Sequence, residues 1–189
     1  MRLSLPPPMT ETSSAPRSIQ DRARSYALVF GLAWFWLLFD QLSKAWVRRA
    51  IPFESYIGPE SIDLLPGRFH FVHVGNYGAA WGMFEGFGGF FVVLAVLAVG
   101  AIVVFRRQLE MHRPFIQLVF GLIVGGIIGN VIDRVWQGYV TDFILVIIPV
   151  VEYHWPVFNI ADAGIVVGVS SYLVDSFRPV HKAQVGENN

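Results

Sequence analysis

The sequence predicts an all-α membrane protein with four transmembrane helices and a small extracytoplasmic β-rich loop region. Three observations lead to this fold class. Hydrophobic residues make up 54% of the chain and charged residues only 15%, whereas a soluble domain carries about 25% charged residues. The mean hydropathy is +0.51, and four segments approach the roughly 20 apolar residues that a spanning helix needs. An alternating stretch between the first two segments predicts strands.

The four apolar segments lie at about residues 26–46, 88–105, 114–132 and 157–177. The first is apolar as far as Phe39, and the third opens with Pro114, which suits the first turn of a helix. Basic residues follow the second and fourth segments directly. We therefore expect each segment to form one membrane-spanning helix.

Two further stretches predict the β-rich region. Residues 68–74, in the long loop before the second apolar segment, alternate polar and apolar side chains as a strand near the membrane surface would. Residues 143–151 form a fifth apolar run, which is too short to span a membrane and contains Pro149. We interpret this run as a strand, a hairpin or an interfacial segment.

The basic residues predict that both termini are cytoplasmic. Four spans place the termini on one side, and cytoplasmic loops are rich in Lys and Arg. With this orientation, nine of the 14 Lys and Arg residues face the cytoplasm. We expect residues 1–25, rich in Pro, Ser and Arg, to form a disordered cytoplasmic tail. Residues 26–177 are then the four-helix membrane domain, and residues 178–189 a second cytoplasmic tail.

Charge and residue types exclude several classes of protein and site. The formal net charge is zero, which gives no electrostatic footprint for nucleic acid. The chain has no Cys, so disulfides, Cys nucleophiles, Cys-ligated zinc and iron–sulfur clusters are excluded. None of the five His residues shows metal-ligand spacing on a helix. The residues therefore give a metal site only weak support.

Polar residues in or beside the apolar segments point to a site, because a charge at the bilayer centre costs about 2.5–3.5 kcal/mol or more. They form five clusters, all at the predicted outer end of the helices. The clusters are Asp40–Lys44, Asn76–Trp81, Gly125–Arg134, Thr141–Ile144 and Phe158–Asp162. Their common depth predicts one polar pocket that opens at the outer leaflet.

Each cluster also has a structural interpretation. Asp40 and Lys44 are four residues apart and could form an interfacial ion pair. The segment that begins at Asn76 could be a turn, and Asp142 a turn carboxylate. The last cluster could cap a helix, with Asn159 as the N-cap and Asp162 as the acid of its first turn. Buried Asn130 needs a polar partner in any interpretation.

Several carboxylates in one pocket, without a metal or a nucleophile, indicate acid–base catalysis. Two close carboxylates cannot both ionise easily, so they share a proton. The ionised group can take a proton from water while the protonated group hydrogen-bonds a scissile carbonyl, as in aspartyl peptidases. The alternative is a proton relay or transporter subunit, because intramembrane acids often have that role. A relay predicts acids throughout the membrane depth, whereas these lie at one end.

Five motifs, in this order, resemble lipoprotein signal peptidase, the bacterial signal peptidase II. They are Asp40-Gln-x-Ser43-Lys44, Asn76-x-Gly78-Ala79-Ala80, Gly125-Gly126-x-x-Gly129-Asn130-x-x-Asp133-Arg134, Val140-x-Asp142-Phe143 and Phe158-Asn159-x-Ala161-Asp162. Their order and spacing agree across about residues 26–177. The Gly-x-Gly-Asp element of presenilin-like and prepilin-peptidase-like aspartyl proteases is absent from the sequence.

The resemblance implies a role for each matched residue. It makes Asp142 and Asp162 the catalytic pair. It gives substrate-binding or supporting roles to Asp40, Lys44, Asn76, Gly78, Asn130, Asp133, Arg134 and Asn159. Trp81 stands where the family usually has Phe, and we expect this to change the contour of the pocket and not its chemistry.

The resemblance also implies a substrate and a location. The family removes the signal peptide from diacylglyceryl-modified prolipoproteins, cleaving before the lipidated Cys. It needs no cofactor, works near the outer face of the bacterial inner membrane and is inhibited by globomycin-type cyclic peptides. We therefore expect residues 26–177 to form a monomeric, multi-pass aspartyl endopeptidase surrounded by membrane lipid.

Overall fold

A computed structural model of the chain describes residues 26–78 and 83–177. These residues contain four helices and one four-stranded antiparallel sheet. The helices are α1 (Ala27–Ala50), α2 (Gly88–Val104), α3 (Pro114–Gln137) and α4 (Ile160–Ser176). The strands are β1 (Ile62–Leu65), β2 (Phe69–Asn76), β3 (Val140–Ile148) and β4 (Tyr153–His154). The two predicted tails and Trp81 lie outside the described residues.

The sheet is larger than the predicted all-α class implies, and the helix ends differ from the predicted ones. Both predicted strand regions are confirmed as β2 and β3, so the described fold combines four helices with a real sheet. α1 and α3 continue four or five residues beyond the apolar segments, to Ala50 and Gln137. The last turns of α3 carry the buried Asp133, whereas Arg48 and Arg49 at the end of α1 are exposed. Hydropathy alone places the end of a span before such charged residues. α4 begins at Ile160 because the backbone of Phe158 pairs with β3.

The helices approach closely because α3 has glycines at its contacts with α1 and α4. A Cβ atom at Gly125 would lie 2.7 Å from the carbonyl oxygen of Ala33 in α1. A Cβ atom at Gly126 would collide with the carbonyl oxygen of Ala161 in α4. Small residues allow helix backbones this close in membrane proteins. α3 therefore lies between α1 and α4 and positions both of them.

The outer surfaces of the helices are apolar, but not every predicted span is both long and apolar enough to cross a membrane. Among the described helices, α3 alone is long and apolar enough to cross a membrane, while α2 is apolar with 17 residues. No residue of α2 is buried. Aromatic side chains of α1 also point outward, since Phe30 and Trp34 are 68% and 63% exposed.

The sheet brings two chain segments beside the helix ends. Its order is β1-β2-β3-β4, and β2 and β3 pair so that Val74 lies opposite Asp142. The backbone of Ile144 in β3 exchanges hydrogen bonds with Phe158, at 2.8 and 3.1 Å. This pairing holds the start of α4 against β3. Buried side chains of α1 and β3, among them Val47 and Phe143, fill the space between helix and sheet.

Candidate active site

All ten residues that the sequence singles out lie in one connected network at one end of the helices. Hydrogen bonds and ion pairs join every member to at least one other. The members are Asp40, Lys44, Asn76, Gly78, Asn130, Asp133, Arg134, Asp142, Asn159 and Asp162. Three helices and two strands contribute to it, so the predicted convergence of the five clusters is present in the structure.

Asp142 and Asp162 reach the network from different elements. Asp142 lies in β3 and is 2% exposed. Its two carboxylate oxygens accept hydrogen bonds from Nδ2 of Asn76 at 2.9 Å and from Nδ2 of Asn159 at 2.7 Å. Asp162 lies in the first turn of α4 and accepts a hydrogen bond from Nδ2 of Asn130 at 2.7 Å. Neutral amide donors therefore surround both acids.

Asn159 connects the two acids directly. Its side-chain Nδ2 donates to Asp142, and its backbone N–H donates to Oδ2 of Asp162 at 3.2 Å. Its Oδ1 accepts a hydrogen bond from the backbone N–H of Asp162 at 2.9 Å, which completes a capping box at the start of α4. The capping interpretation and the site interpretation are thus both satisfied by one residue. Helix geometry fixes the separation of the two acids through this cap.

A buried lysine joins three members of the network. Lys44 is 0% exposed, and its Nζ lies 2.9 Å from Oδ2 of Asp40 and 2.9 Å from Oδ2 of Asp133. Its third hydrogen bond goes to Oδ1 of Asn130 at 3.0 Å. An ammonium group has three donors, so each of them has an acceptor. The predicted pair of Asp40 and Lys44 is therefore part of a larger buried cluster and not an exposed ion pair.

The supporting acids also hold backbone groups. Oδ1 of Asp40 accepts the N–H of Ala161 at 2.9 Å, in the first turn of α4. Oδ2 of Asp133 accepts the N–H of Thr141 at 3.2 Å, one residue before Asp142. Each support therefore fixes the backbone next to one member of the central pair.

Further polar residues that hydrogen-bond to the network were not among the predicted site residues. Gln41 donates from Nε2 to Asp40 at 3.1 Å and to Asp133 at 3.3 Å. Arg48 and Thr141 share a hydrogen bond of 3.2 Å. Gln41 and Thr141 stand inside two of the polar clusters, so their position beside Asp40 and Asp142 was a usable signal. Arg48 follows Lys44 by one helical turn.

Arg134 forms the wall of the site next to α2. Its Nη2 donates to the carbonyl oxygen of Gly78 at 2.9 Å, and its guanidinium lies 5.2 Å from the ring centroid of Phe91. Its Nε is buried and has no hydrogen-bond partner among the described residues. A cavity of about 430 Å³ opens here, lined by Arg134 and by Tyr77, Gly86, Gly88, Gly89, Val92, Val135 and Gly138. The glycines leave room for a backbone to approach.

The electrostatics of the site favour a shared proton. Burial, followed by the negative charge of Asp162, raises the pKa of Asp142 to about 8. Hydrogen bonds from Asn76 and Asn159 to the ionised form act in the opposite direction. At neutral pH, Asp142 can therefore hold a proton while a second carboxylate stands close enough to influence it. The protonation of Asp142 therefore depends on the charge of Asp162, which couples the two acids.

The histidines of the sheet contact groups outside the network. Nδ1 of His73 lies 2.9 Å from the carbonyl oxygen of Ile51, and Nδ1 of His70 lies 2.6 Å from Oδ1 of Asp63. Within residues 26–78 and 83–177, no group of three His, Asp or Glu residues is arranged to hold a metal ion.

Comparisons with known proteins show which family and which fold this chain resembles. Residues 32–178 match the model of the family described as signal peptidase (SPase) II. The lipoprotein signal peptidase of Shewanella amazonensis is 38% identical over 162 residues, which cover 78% of this chain and 89% of that protein. The lipoprotein signal peptidase of Aeromonas hydrophila is 35% identical over 164 residues, covering 82% and 94%. A solved bacterial membrane enzyme superposes with a TM-score of 0.74 at 28% identity, over 86% of this chain and 95% of that one.

Proposed function

The chain belongs to the signal peptidase II family, and we propose that it removes the signal peptides of prolipoproteins with Asp142 and Asp162 as an aspartyl dyad. The observation that carries this proposal is the double contact of Asn159. One residue hydrogen-bonds both carboxylates, which keeps the two acids of different elements at a fixed separation. Family membership supports the peptidase activity, and the geometry supports the aspartyl chemistry.

The proposed reaction begins with one proton on the dyad. The ionised carboxylate takes a proton from a water molecule, and the oxygen of that water bonds to the scissile carbonyl carbon. The protonated carboxyl gives its proton to the carbonyl oxygen, which forms a neutral tetrahedral diol. When the C–N bond breaks, one dyad carboxyl protonates the leaving amine and a dyad carboxylate takes the proton of a diol hydroxyl, so the dyad again holds one proton. The products are a signal peptide with a free carboxyl group and a lipoprotein with a free amino terminus.

Three features around the dyad suit an extended peptide. Arg134 lines the neighbouring cavity, and Asn76 lies beside Asp142, to which its Nδ2 donates. The side chain of Asn76 also holds the N–H of Gly78 at 3.0 Å, which keeps this loop against the dyad. Glycines at the mouth of the neighbouring cavity leave backbone accessible. We propose that Asn76, Gly78 and Arg134 bind the backbone of the substrate around the scissile bond.

We further propose four membrane spans with both termini cytoplasmic and the dyad at the outer leaflet. The apolar outward faces of α1 and α2 support the spans, since exposed Phe30, Trp34 and Phe90 would otherwise face water. In this orientation the short basic connection from α2 to α3 faces the cytoplasm, as the positive-inside rule expects. The chain has no Cys, so single cysteines at Gln108 and Glu60 can be labelled from each side. Labelling of both from the same side would contradict this topology.

The proposed substrate carries a diacylglyceryl group on the Cys after the cleaved bond. Acyl chains in the outer leaflet would hold that bond at the depth of the dyad, so binding energy from the lipid positions the reacting carbonyl. The same peptide without its diacylglyceryl group is expected to be cleaved at least about 100-fold more slowly, judged by kcat/KM. Equal rates for the two peptides would contradict this role of the lipid.

Inhibition and oligomeric state follow from the same site. A globomycin-type cyclic peptide is proposed to occupy the dyad and the adjoining cavity, in competition with substrate. We propose that the chain is active as a monomer. The transporter alternative is not favoured, because the family is a peptidase family and the buried acids of the network lie at one end of the helices.

Single substitutions of the dyad test the proposal. Asp142→Asn and Asp162→Asn are each expected to lower kcat at least about 10³-fold on a diacylglyceryl-modified prolipoprotein peptide. Glu60→Gln, which changes an exposed acid outside the network, serves as the matched control and is expected to keep full activity. Full activity in either folded dyad variant would overturn the assignment.

A further inference from the structure

An apolar groove lies between α1, α2 and α3 at the end opposite the dyad. Its volume is about 430 Å³. The groove is lined by the first half of α1, the last turns of α2 and the middle of α3, including Trp34, Val99, Val103 and Val124. It stays open because α2 packs against α3 without burying any of its own residues.

The apolar lining of this groove suits an acyl chain. A single hydrocarbon chain is flexible and much narrower than a helix, which is about 10–12 Å across with its side chains. Such a chain can therefore cover the apolar lining along its length.

Uncompensated positive charge stands at the mouth of the groove. Arg106 lines it, and one of its N–H groups donates to the carbonyl oxygen of Val103 at 2.8 Å. The neighbouring acids Glu110 and Asp175 both pair with Arg113, at 2.9 and 2.7 Å. In the part of the chain that the structure describes, no ion pair is formed by Arg106. Its guanidinium therefore has donors for an anion.

An anionic phospholipid combines the two groups that the groove requires. Its acyl chain is apolar and its phosphate is an acceptor for the guanidinium of Arg106. A signal peptide fits less well, because such peptides begin with a positively charged segment that the mouth would repel. We propose that this groove binds one acyl chain of an anionic phospholipid, with the headgroup phosphate on Arg106. This rests on the topology proposed above, in which this end of the helices faces the cytoplasmic leaflet.

A second groove on the other side of α2 provides an internal comparison. It lies between α2, α3 and α4 and has a volume of about 490 Å³. Ala101, Tyr172 and Leu173 contribute to its lining, which includes no Lys or Arg among the described residues. The two grooves are similar in size and apolar character, and they differ in the cation. Headgroup preference should therefore belong to the first groove alone.

Native mass spectrometry of the purified full-length chain tests the headgroup contact. The probes are phosphatidylglycerol and phosphatidylcholine with the same acyl chains. The wild-type chain is expected to retain phosphatidylglycerol preferentially, and Arg106→Gln is expected to lower that preference about fivefold. Arg107→Gln makes the same change of net charge outside the lining and is expected to change the preference less than about twofold. Equal effects of the two variants, or no preference in the wild-type chain, would overturn the proposal.

A matched pair of filling substitutions on α2 tests the acyl chain. Val99→Trp fills the first groove and is expected to reduce retention of both lipids, whereas Ala101→Trp fills the second and is expected to leave the preference intact. Retention by Val99→Trp equal to that of the wild-type chain would contradict the site. Arg106→Gln is expected to keep peptidase activity, and Asp142→Asn to keep the lipid preference. Failure of the lipid site and failure of the dyad are therefore separate results.

Discussion

Two pairs of aspartates lie at the same end of the helices, and they differ in what surrounds them. Asp40 and Asp133 share the ammonium of Lys44, each at 2.9 Å. Asp142 and Asp162 accept hydrogen bonds from asparagine amides and a backbone N–H instead. A neighbouring cation favours the ionised form of a carboxylate, whereas burial, the largest influence on Asp142, favours its protonated form. The proposed function therefore assigns a supporting role to the first pair and proton exchange to the second.

The first way to test this difference between the two pairs is to remove the cation. Lys44→Met leaves Asp40 and Asp133 buried without their partner, which is expected to cost about 3–5 kcal/mol of unfolding free energy. Thermal unfolding of the purified chain in detergent measures the loss. Arg49→Met removes an exposed cation from the same helix and is expected to change the unfolding free energy by less than about 0.5 kcal/mol. Equal stability of the two variants would refute a supporting role for Lys44.

The second way is to disturb the position of the dyad through the helix contact. A Cβ at Gly126 would collide with the carbonyl oxygen of Ala161, directly before Asp162. Gly126→Ala is therefore expected to cost about 1–3 kcal/mol and to lower kcat. Gly100→Ala, where no atom lies within 4 Å of the added Cβ, is the control and is expected to be neutral or stabilising by up to about 1 kcal/mol. Similar losses in both variants would show that close packing is not the cause.

The third way uses pH to separate the two kinds of acid. The pKa of Asp142 is raised from 3.8 to about 8, by burial first and by the charge of Asp162 second. A raised pKa means that the native state holds a proton which the unfolded chain releases. The stability contributed by this group is thus fully present below about pH 4 and is lost as pH rises through about 8.

Asp142→Asn lacks this titration, so the two chains should diverge with pH. Between about pH 5 and 7, the unfolding free energy of the wild-type chain is expected to fall relative to Asp142→Asn by about 1.4 kcal/mol per pH unit. Unfolding measured at pH 5, 6 and 7 gives this slope, and Glu60→Gln should run parallel to the wild-type chain. A difference between wild type and Asp142→Asn that stays constant with pH would contradict a shared proton.

The sequence was sufficient for much of this architecture because the relevant signals are local. Hydropathy located the helices, and α2 at Gly88–Val104 agrees with its predicted bounds. Alternation identified β2, and a short apolar run identified β3. The polar clusters identified the network because polar side chains are costly beside lipid and therefore stand out. Family membership and peptidase function are confirmed by the comparisons.

The remaining features depend on contacts between distant segments. The pairing of Phe158 with Ile144 brings α4 to β3, and no local pattern specifies that partner. The sequence left Asn159 open between cap and site, and only its contacts with both acids show that it is both. The three partners of Lys44 come from α1 and α3, which i,i+4 spacing alone could not supply.

The most direct test of the proton-sharing dyad compares Asp142→Asn with Asp133→Asn in the same preparation at pH 7. Turnover of a diacylglyceryl-modified prolipoprotein peptide and the unfolding midpoint are measured for both variants. We expect Asp142→Asn to stay folded and lose turnover at least about 10³-fold, and Asp133→Asn to unfold earlier while retaining turnover below its unfolding midpoint. Wild-type turnover in folded Asp142→Asn, or an equally complete loss in folded Asp133→Asn, would contradict the division between catalytic and supporting acids.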